Sequence, residues 1–302
     1  MLRASKVVAL LLLLGSVSLA PSSRVLAASQ DDDAAANKPS PIVSLKPASA
    51  IAPDIPFGDY DAQAEQLLLY LANQARAQFG APRLTLDAGM SRAARIHAEK
   101  MVAERQLSHR LEGEPSLPQR LAAETRTQLD QEGENVAFDF DAAQGHQHLM
   151  QSPPHRANLL NPAYNVVGLG VVRSGDRLYI VQDFGHALPN YSLAEAKQQI
   201  ATTLAQSRYQ AGQAALARSD LPNADFVACS MARADKLGTK PVHELAQRYT
   251  VLTYTSLHPG TMPENAGPVL LRRGLRGFSV GACYARTQTY PTGVYWVVLS
   301  LD

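Results

Sequence analysis

Three short polar segments carry the side chains of this 302-residue chain that could do chemistry. They are Ser108-His109-Arg110, Gly133-Glu134-Asn135, and a segment from Ser152 to Pro162 that contains His155. His109, Glu134 and His155 together offer two imidazoles and one carboxylate, a ligand set used by catalytic zinc that leaves one position open for water or substrate. Without a metal, the same groups could act as an acid and base pair.

Helices and a hairpin are predicted to position these segments. Apolar residues recur with helical spacing from Asp61 to Gly80, and again from Asp87 to Arg105. Ser116 and Gln119 match a capping box that opens a helix through Ala123, and Asp141 can cap a helix through Met150. The apolar stretches 165–173 and 177–184, separated by Ser174-Gly175-Asp176, predict a β-hairpin. Helices beside a mainly antiparallel sheet indicate an α+β sandwich.

The order of these motifs resembles the bacterial branch of the CAP superfamily, also called SCP-like, over about 130 residues. The resemblance implies a three-layer α-β-α sandwich for residues 59–190. It also implies a cleft in which two histidines and two acidic residues bind a divalent cation, with His109 as the first histidine and Glu134 as the first acidic residue. The second acidic position reads Leu149-Met150-Gln151-Ser152 here, and His155 is the bacterial-type second histidine. A three-group site for zinc or another divalent cation is therefore the prediction.

Other polar residues have plainer interpretations. His97 lies on the apolar face of its predicted helix, which favours a structural histidine bonded to the backbone. His146 and His148 would point to different faces of a helix, which favours a solvated surface. Ser152 before Pro153 is typical of a helix N-cap. His109 and His155 themselves could instead bond Glu134 and backbone groups to fix the loop between helices.

The N-terminal part indicates export. Residues 1–27 combine Arg3 and Lys6, an apolar run and Val25-Leu26-Ala27, which together predict a signal peptide cleaved after Ala27. The alternative is an uncleaved anchor, although the run is shorter than a bilayer span requires. Residues 28–58, rich in alanine, serine, proline and aspartate, predict a disordered linker. We expect a periplasmic or extracellular protein with no transmembrane segment in the mature chain.

Residues 191–302 are predicted to form a second, smaller α+β domain that is a degenerate copy of the first. Residues 196–212 lie over residues 64–80 at an offset of 132, which also matches Arg208 with Arg76 and Cys229 with His97. The second segment lacks the Gly-Glu-Asn and Ser-Pro-Pro-His-Arg motifs. Two unrelated α+β modules with the same element order are the alternative.

The two cysteines of the chain, Cys229 and Cys283, both lie in this second segment. In an oxidising compartment they are expected to form one disulfide. The alternative is a pair of buried free thiols. Trp296, the sole tryptophan, lies in an apolar strand pattern and is expected in the core.

Charge and motifs narrow the function classes. A net charge of +1 without clustered Lys or Arg argues against a nucleic-acid partner. The leading prediction is a binding module of the cell envelope or medium, with a lipid, cell-wall or protein ligand, rather than an enzyme. The alternatives are a metal-dependent, peptidase-like hydrolase using His109, Glu134 and His155, and a purely structural or interaction protein.

Overall fold

The computed structural model of the protein describes residues 60–302 and the backbone of residues 7–9. The predicted linker and the rest of the predicted signal peptide lie outside these residues. The strand β1, Val7–Ala9, pairs in parallel with a strand of the C-terminal half. Among the helices of residues 60–302, none combines the length and apolar composition that a bilayer crossing requires.

The first half of the described chain contains five helices and four strands. Its elements are α1 Ala62–Gln78, β2 Thr85–Leu86, α2 Ala88–Glu104, α3 Leu117–Glu124, β3 Leu129–Asp139, α4 Ala142–Gln151, α5 Pro153–Leu160, β4 Val166–Ser174 and β5 Arg177–Ala187. The sheet order is β2-β4-β5-β3, in which β2 runs parallel to β4 and the other pairs are antiparallel. The predicted helices and hairpin are confirmed.

Two layers of helices cover the two faces of this sheet. On one face, α1, α4 and α5 pack through Leu68, Leu149 and Leu159 against the strands. On the other face, α2 packs through Ala94 and Met101. The α+β sandwich with three layers is therefore confirmed for this half.

Local sequence explains where the helices begin and end. Asp61, Asp87 and Asp141 each accept a hydrogen bond at the N-terminus of a helix, at 3.0, 2.8 and 2.9 Å respectively. Gly80, just after α1, has a φ of 73°, a conformation that glycine adopts without steric cost. Ser152 occupies the N-cap position of α5 as predicted, but its side chain makes no capping hydrogen bond.

The second half also contains helices around one sheet. Its elements are α6 Leu193–Gln210, β6 Ala217–Arg218, α7 Ala224–Ala234, α8 Lys240–Ala246, β7 Thr250–Ser256, a 3-10 turn Glu264–Ala266, α9 Gly267–Leu270, β8 Gly277–Ala285 and β9 Val294–Leu301. The sheet order is β1-β7-β9-β8-β6, in which β6 runs parallel to β8 and the pairs β8·β9 and β7·β9 are antiparallel. Apart from β1, this pairing pattern is the same as that of the first sheet.

A disulfide joins Cys229 on α7 to Cys283 on β8, as the sequence predicted. It closes a loop with a sequence separation of 54 residues. Trp296, 1% exposed, lies directly across the β-ladder from Cys283. The expectation of a core tryptophan is confirmed.

Four polar contacts join the two halves, and all four fall on residues 122–130 of the first half. Arg286 donates to the Ala122 carbonyl at 2.6 Å, and Thr292 donates to the Leu129 carbonyl at 3.2 Å. In addition, Gln128 donates to the Leu257 carbonyl at 3.2 Å, and His258 Nε2 lies 3.3 Å from Asp130. The second half therefore contacts the end of α3, the start of β3 and the connection between them.

Candidate functional site

The candidate site lies on β3, an edge strand whose successive side chains point to opposite faces of the sheet. Gly133 and Asn135 face the layer of α5, whereas Glu134 faces the layer of α2 and α3. Gly133 is needed because a Cβ there would overlap with the Tyr164 hydroxyl. In the Gly-Glu-Asn motif, the glycine thus allows Tyr164 to lie close to one face of the strand, and the glutamate provides a buried carboxylate on the other face.

Glu134 is held between a histidine and an arginine. Its Oε1 lies 2.9 Å from His109 Nδ1, and its Oε2 accepts a hydrogen bond from Arg120 Nη2. Arg120, on α3, also donates from Nη1 to the His109 carbonyl at 3.1 Å. The side chains of Glu134 and Arg120 are buried, while that of His109 is 59% exposed. His109 is therefore the point at which this buried group meets solvent.

His97 and Glu114 extend the network beneath α2. His97 is fully buried, with Nδ1 2.9 Å from Glu114 Oε1 and Nε2 2.9 Å from the Ser108 carbonyl. Burial would raise the pKa of Glu114, but hydrogen bonds from His97 and the Leu111 N–H outweigh it and hold the pKa below its ordinary value. The prediction of a structural His97 is confirmed, and Glu114 is an additional partner.

Asp183 on β5 lies directly across the ladder from Glu134. Its side chain is fully buried, and neither carboxyl oxygen has a hydrogen-bond donor among the described residues. Burial, and next the charge of Glu134, raise the pKa of Asp183 well above its usual value, although Arg120 opposes this. Asp183 and Glu134 are therefore two neighbouring buried carboxyl groups on adjacent strands.

His155 lies on the opposite side of the edge strand, on α5. Its carbonyl accepts a hydrogen bond from Asn135 Nδ2 at 3.1 Å, and Asn158 Nδ2 donates to Asn135 Oδ1 at 3.0 Å. Burial, and then the nearby charge of His109, lower the pKa of the His155 imidazole. All three predicted residues thus lie at β3. Glu134 is part of this strand, His109 contacts the Glu134 side chain, and the His155 carbonyl accepts the hydrogen bond from Asn135.

The neighbouring pair on α4 has two different environments. His148 is exposed, with Nδ1 2.5 Å from Asp139, in agreement with the prediction of a solvated surface. His146 is half-buried instead, its Nδ1 is fully covered, and burial lowers its pKa. The prediction for His146 is therefore wrong, because the helix turns that residue toward the protein.

The donor set around Glu134 fits a divalent metal poorly. Both oxygens of Glu134 and Nδ1 of His109 already have partners, and one partner is the cation Arg120. Within the described residues, no three histidine, cysteine, aspartate or glutamate side chains converge in a metal-ligating arrangement. His109 and Glu134, as they are bonded here, do not form a ready site for a divalent metal.

Comparison with models of known families matches one part of the chain. The model of the cysteine-rich secretory protein (CAP) family matches residues 69–184, which span α1 to β5 and include all three predicted site residues. Residues 69–184 belong to a CAP domain. The resemblance predicted from the motifs is thus confirmed for the first half. No curated protein sequence matches the chain.

Solved structures that are similar to part of this chain include three bacterial proteins. An extracellular protein containing an SCP domain from Bacillus anthracis is 26% identical, over 41% of this chain and 40% of that one, with a TM-score of 0.38. An outer surface protein from Borrelia burgdorferi is 19% identical, over 43% and 99%, with a TM-score of 0.40. A cysteine-rich secretory protein from Staphylococcus aureus is 20% identical, over 41% and 39%, with a TM-score of 0.33. The chain thus spans well under half of the Bacillus and Staphylococcus proteins.

Three residues of the CAP domain site were missed by sequence reasoning. Arg120 and Glu114 come from the segment between α2 and β3, where no motif announces a buried charge. Asp183 had a signal, because it is a lone acidic residue within the apolar strand β5. Such a residue either faces solvent or has a specific role in a buried site.

Proposed function

We propose that the protein is exported and that its CAP domain acts as a binding module at the cell envelope or outside the cell. The signal-peptide pattern of residues 1–27 supports export. The similar structures include a protein described as extracellular and another described as an outer surface protein. The family shares a scaffold more clearly than a reaction, so the choice of binding over catalysis rests on the site.

The observation that carries this proposal is the engagement of Glu134. A general base must be free to accept a proton from a substrate or a water molecule. Glu134 instead has one oxygen on Arg120 and the other on His109, and Glu114 is bonded to His97. These pairs favour a rigid recognition surface around the exposed His109 ring.

Binding can be tested with the two ligand classes that the family resemblance suggests, cell-wall material and apolar lipid. The exported chain would be sedimented with purified cell-wall sacculi and, separately, with lipid vesicles. We expect retention by one of them, and loss of retention in a His109→Ala, His155→Ala double variant. His243→Ala, an exposed histidine of α8, is the matched control. Equal retention of the double variant, or no retention of the wild type by either material, would contradict the proposal.

A metal-dependent hydrolase using His109, Glu134 and His155 is the competing proposal. It requires turnover of a peptide or related substrate that is lost on chelation and restored by metal. The pairing of Glu134 with Arg120 weighs against it, since a base or ligand would first have to leave a buried ion pair.

A second role, stabilisation of the CAP domain by residues 191–302, is favoured by the contacts on residues 122–130. These residues connect Arg120 on α3 to Glu134 on β3, so holding them in place also holds the site. Residues 52–190 expressed alone should unfold at lower denaturant than the full chain and lose site geometry. A fully stable, monodisperse fragment would count against this role.

We further propose that residues 191–302 are a degenerate copy of the CAP domain. Support comes from the shared strand order and from Arg76 and Arg208. Arg76 donates to the carbonyls of Pro82, Leu159, Asn161 and Tyr164. Arg208 donates to those of Ala214, Leu270 and Arg272. In each half one buried guanidinium at the end of the first helix ties that helix to the chain before the hairpin.

A further inference from the structure

We infer that Arg120 supplies the positive charge that Glu134 would otherwise take from a divalent metal, and that it thereby keeps such metals out of the site. Arg120 is 6% exposed and lies on α3, a helix whose capping box fixes its first turn. Its Nη2 donates to Glu134, and its Nη1 lies 3.7 Å from Glu114 Oε2. One guanidinium therefore lies between two buried carboxylates.

The charges around Glu134 leave little room for a dication. A metal bound to Glu134 needs a carboxylate lone pair that no N–H group occupies. Oε2 accepts from Arg120 and Oε1 lies 2.9 Å from His109 Nδ1, so a metal ion could use only the second lone pair of an oxygen that already has a partner. It would also lie next to a fixed cation in a buried site, where like charges repel strongly because solvent screening is weak.

Arg120 is also prevented from moving away. Its Nη1 donates a hydrogen bond to the His109 carbonyl at 3.1 Å. Arg120 is thus bonded to the backbone of His109, whose ring contacts Glu134. Glu114, on its other side, is itself bonded to His97 and to the Leu111 N–H at 3.1 Å. In the turn after Arg120, the Ala122 carbonyl accepts the bond from Arg286 of the second half. Swinging the guanidinium out would therefore break its contacts with Glu134, the His109 carbonyl and Glu114.

Removing the charge should therefore create a metal site. In Arg120→Met, the side chain keeps much of its apolar length but loses every donor. Oε2 of Glu134 then loses its cationic partner, in a carboxylate that contacts His109 and lies across the ladder from Asp183. Outer-sphere changes of this kind typically alter metal affinity by roughly 10- to 100-fold. The gain should appear whatever ligand the CAP domain takes, because it depends only on Arg120 and Glu134.

Zinc titration by calorimetry tests this inference on the exported chain. We expect no saturable zinc uptake by the wild type or by Arg92→Met, a control at an exposed arginine of α2. Arg120→Met should bind one zinc saturably, at least about tenfold more tightly than the weakest binding that the titration would detect in the wild type. This gain should disappear in the double variant Arg120→Met, Glu134→Gln. Arg120→Lys keeps the positive charge and should not show the gain.

Two results would overturn the inference. One is wild-type zinc binding that Glu134→Gln abolishes, and the other is a folded Arg120→Met variant without any gain. Circular dichroism checks folding, and if Arg120→Met does not fold, Arg120→Gln is judged by the same criteria. The sedimentation assay with sacculi and vesicles is separate, so failure of the binding proposal would leave the zinc result readable.

Discussion

The two halves of the chain share one pattern of strand pairing but differ in what that scaffold carries. In the first half, Glu134 pairs with Asp183 and Asn135 with Gln182 across the ladder of β3 and β5. At the corresponding positions of β7 and β9, the pairs are Val251 with Ser300 and Leu252 with Leu299. Where the first half has polar pairs, the second half has largely apolar residues. The sheet therefore does not need the polar site in order to form.

A second contrast concerns an ion pair at the edge of each sheet. In the first half, Glu65 of α1 binds Arg95 of α2 at 2.6 Å and 2.8 Å. In the second half, Lys197 of α6 binds Asp225 of α7 at 2.9 Å, with the charges on the opposite helices. In both halves the carboxylate also accepts a backbone N–H, from Val171 and Ala282 respectively. The interaction is the same although the signs are exchanged.

The largest expected effect concerns the buried arginine shared by the halves. Arg76→Met would leave four carbonyls without their donor, and we expect a loss of about 4 kcal/mol in the free energy of unfolding. Arg208→Met, with three carbonyls, should cost somewhat less. Urea unfolding followed by circular dichroism measures both, with Arg92→Met as the exposed control. A loss below about 1 kcal/mol for Arg76→Met would refute the shared anchoring role.

The disulfide distinguishes the two halves, because both of its cysteines lie in the second half. Replacing Cys229 and Cys283 together by alanine should destabilise that half by about 4 kcal/mol, since the unfolded chain gains the freedom of a 54-residue loop. Trp296 fluorescence reports on the second half and should shift to lower denaturant. The unfolding midpoint of the CAP domain, followed by the NMR signal of the His109 ring, should move less. Equal shifts of both would mean that the halves unfold as one unit.

The exchanged ion pair can be broken and then restored. Glu65→Lys should cost about 3 kcal/mol because it leaves the mostly buried Arg95 beside a like charge. Adding Arg95→Asp copies the second half's arrangement and should recover most of that loss. Lys197→Glu should cost less, about 1 kcal/mol, because the Asp225 side chain is 47% exposed. A double variant no better than Glu65→Lys would show that the two ion pairs are not interchangeable.

A pH-dependent contrast concerns Asp183, which lies where the second half has Ser300. Because burial raises the pKa of Asp183, its contribution to stability is full below the unfolded value near 3.8 and is lost as pH rises toward the folded value. Relative to Asp183→Asn, the wild type should lose up to about 1.4 kcal/mol per pH unit over that range. Urea unfolding of both proteins at several pH values measures the difference. A difference independent of pH would mean that Asp183 has no shifted pKa.

Sequence patterns predicted those structural features that depend on residues close together in the chain. Asp61, Asp87 and Asp141 announced helices correctly, because a cap and its helix are neighbours in the chain. The Arg120 contact with Glu134 joins residues 14 positions apart through the packing of α3 on the sheet. No periodicity specifies that packing, so the sequence indicated a metal ligand at Glu134 and gave no hint of its cationic partner.

The alignment between halves was right for α1 and wrong for α2. The offset of 132 holds for Arg76 and Arg208, but α2 and α7 end on left-handed residues Arg105 and Asp235, 130 positions apart. Val227, rather than Cys229, therefore corresponds to His97. The strands β2 and β6 still follow the offset of 132, at Thr85 and Ala217, so the difference of two residues arises between β6 and the end of α7.

The glycines of β4 indicate how far the helix that covers this strand, α2, extends along it. A Cβ at Gly168 would overlap with Met90, and one at Gly170 would overlap with Ala94, because the backbone of α2 lies directly on the strand. In the second half, Gly281 corresponds to Gly170 and remains beneath Ala224, the first residue of α7. Gly168 corresponds to Ser279, which has no helical turn above it and accepts a hydrogen bond from the Leu221 N–H. In distant relatives, a side chain at the first of these two strand positions should mark a helix that has lost its opening turns.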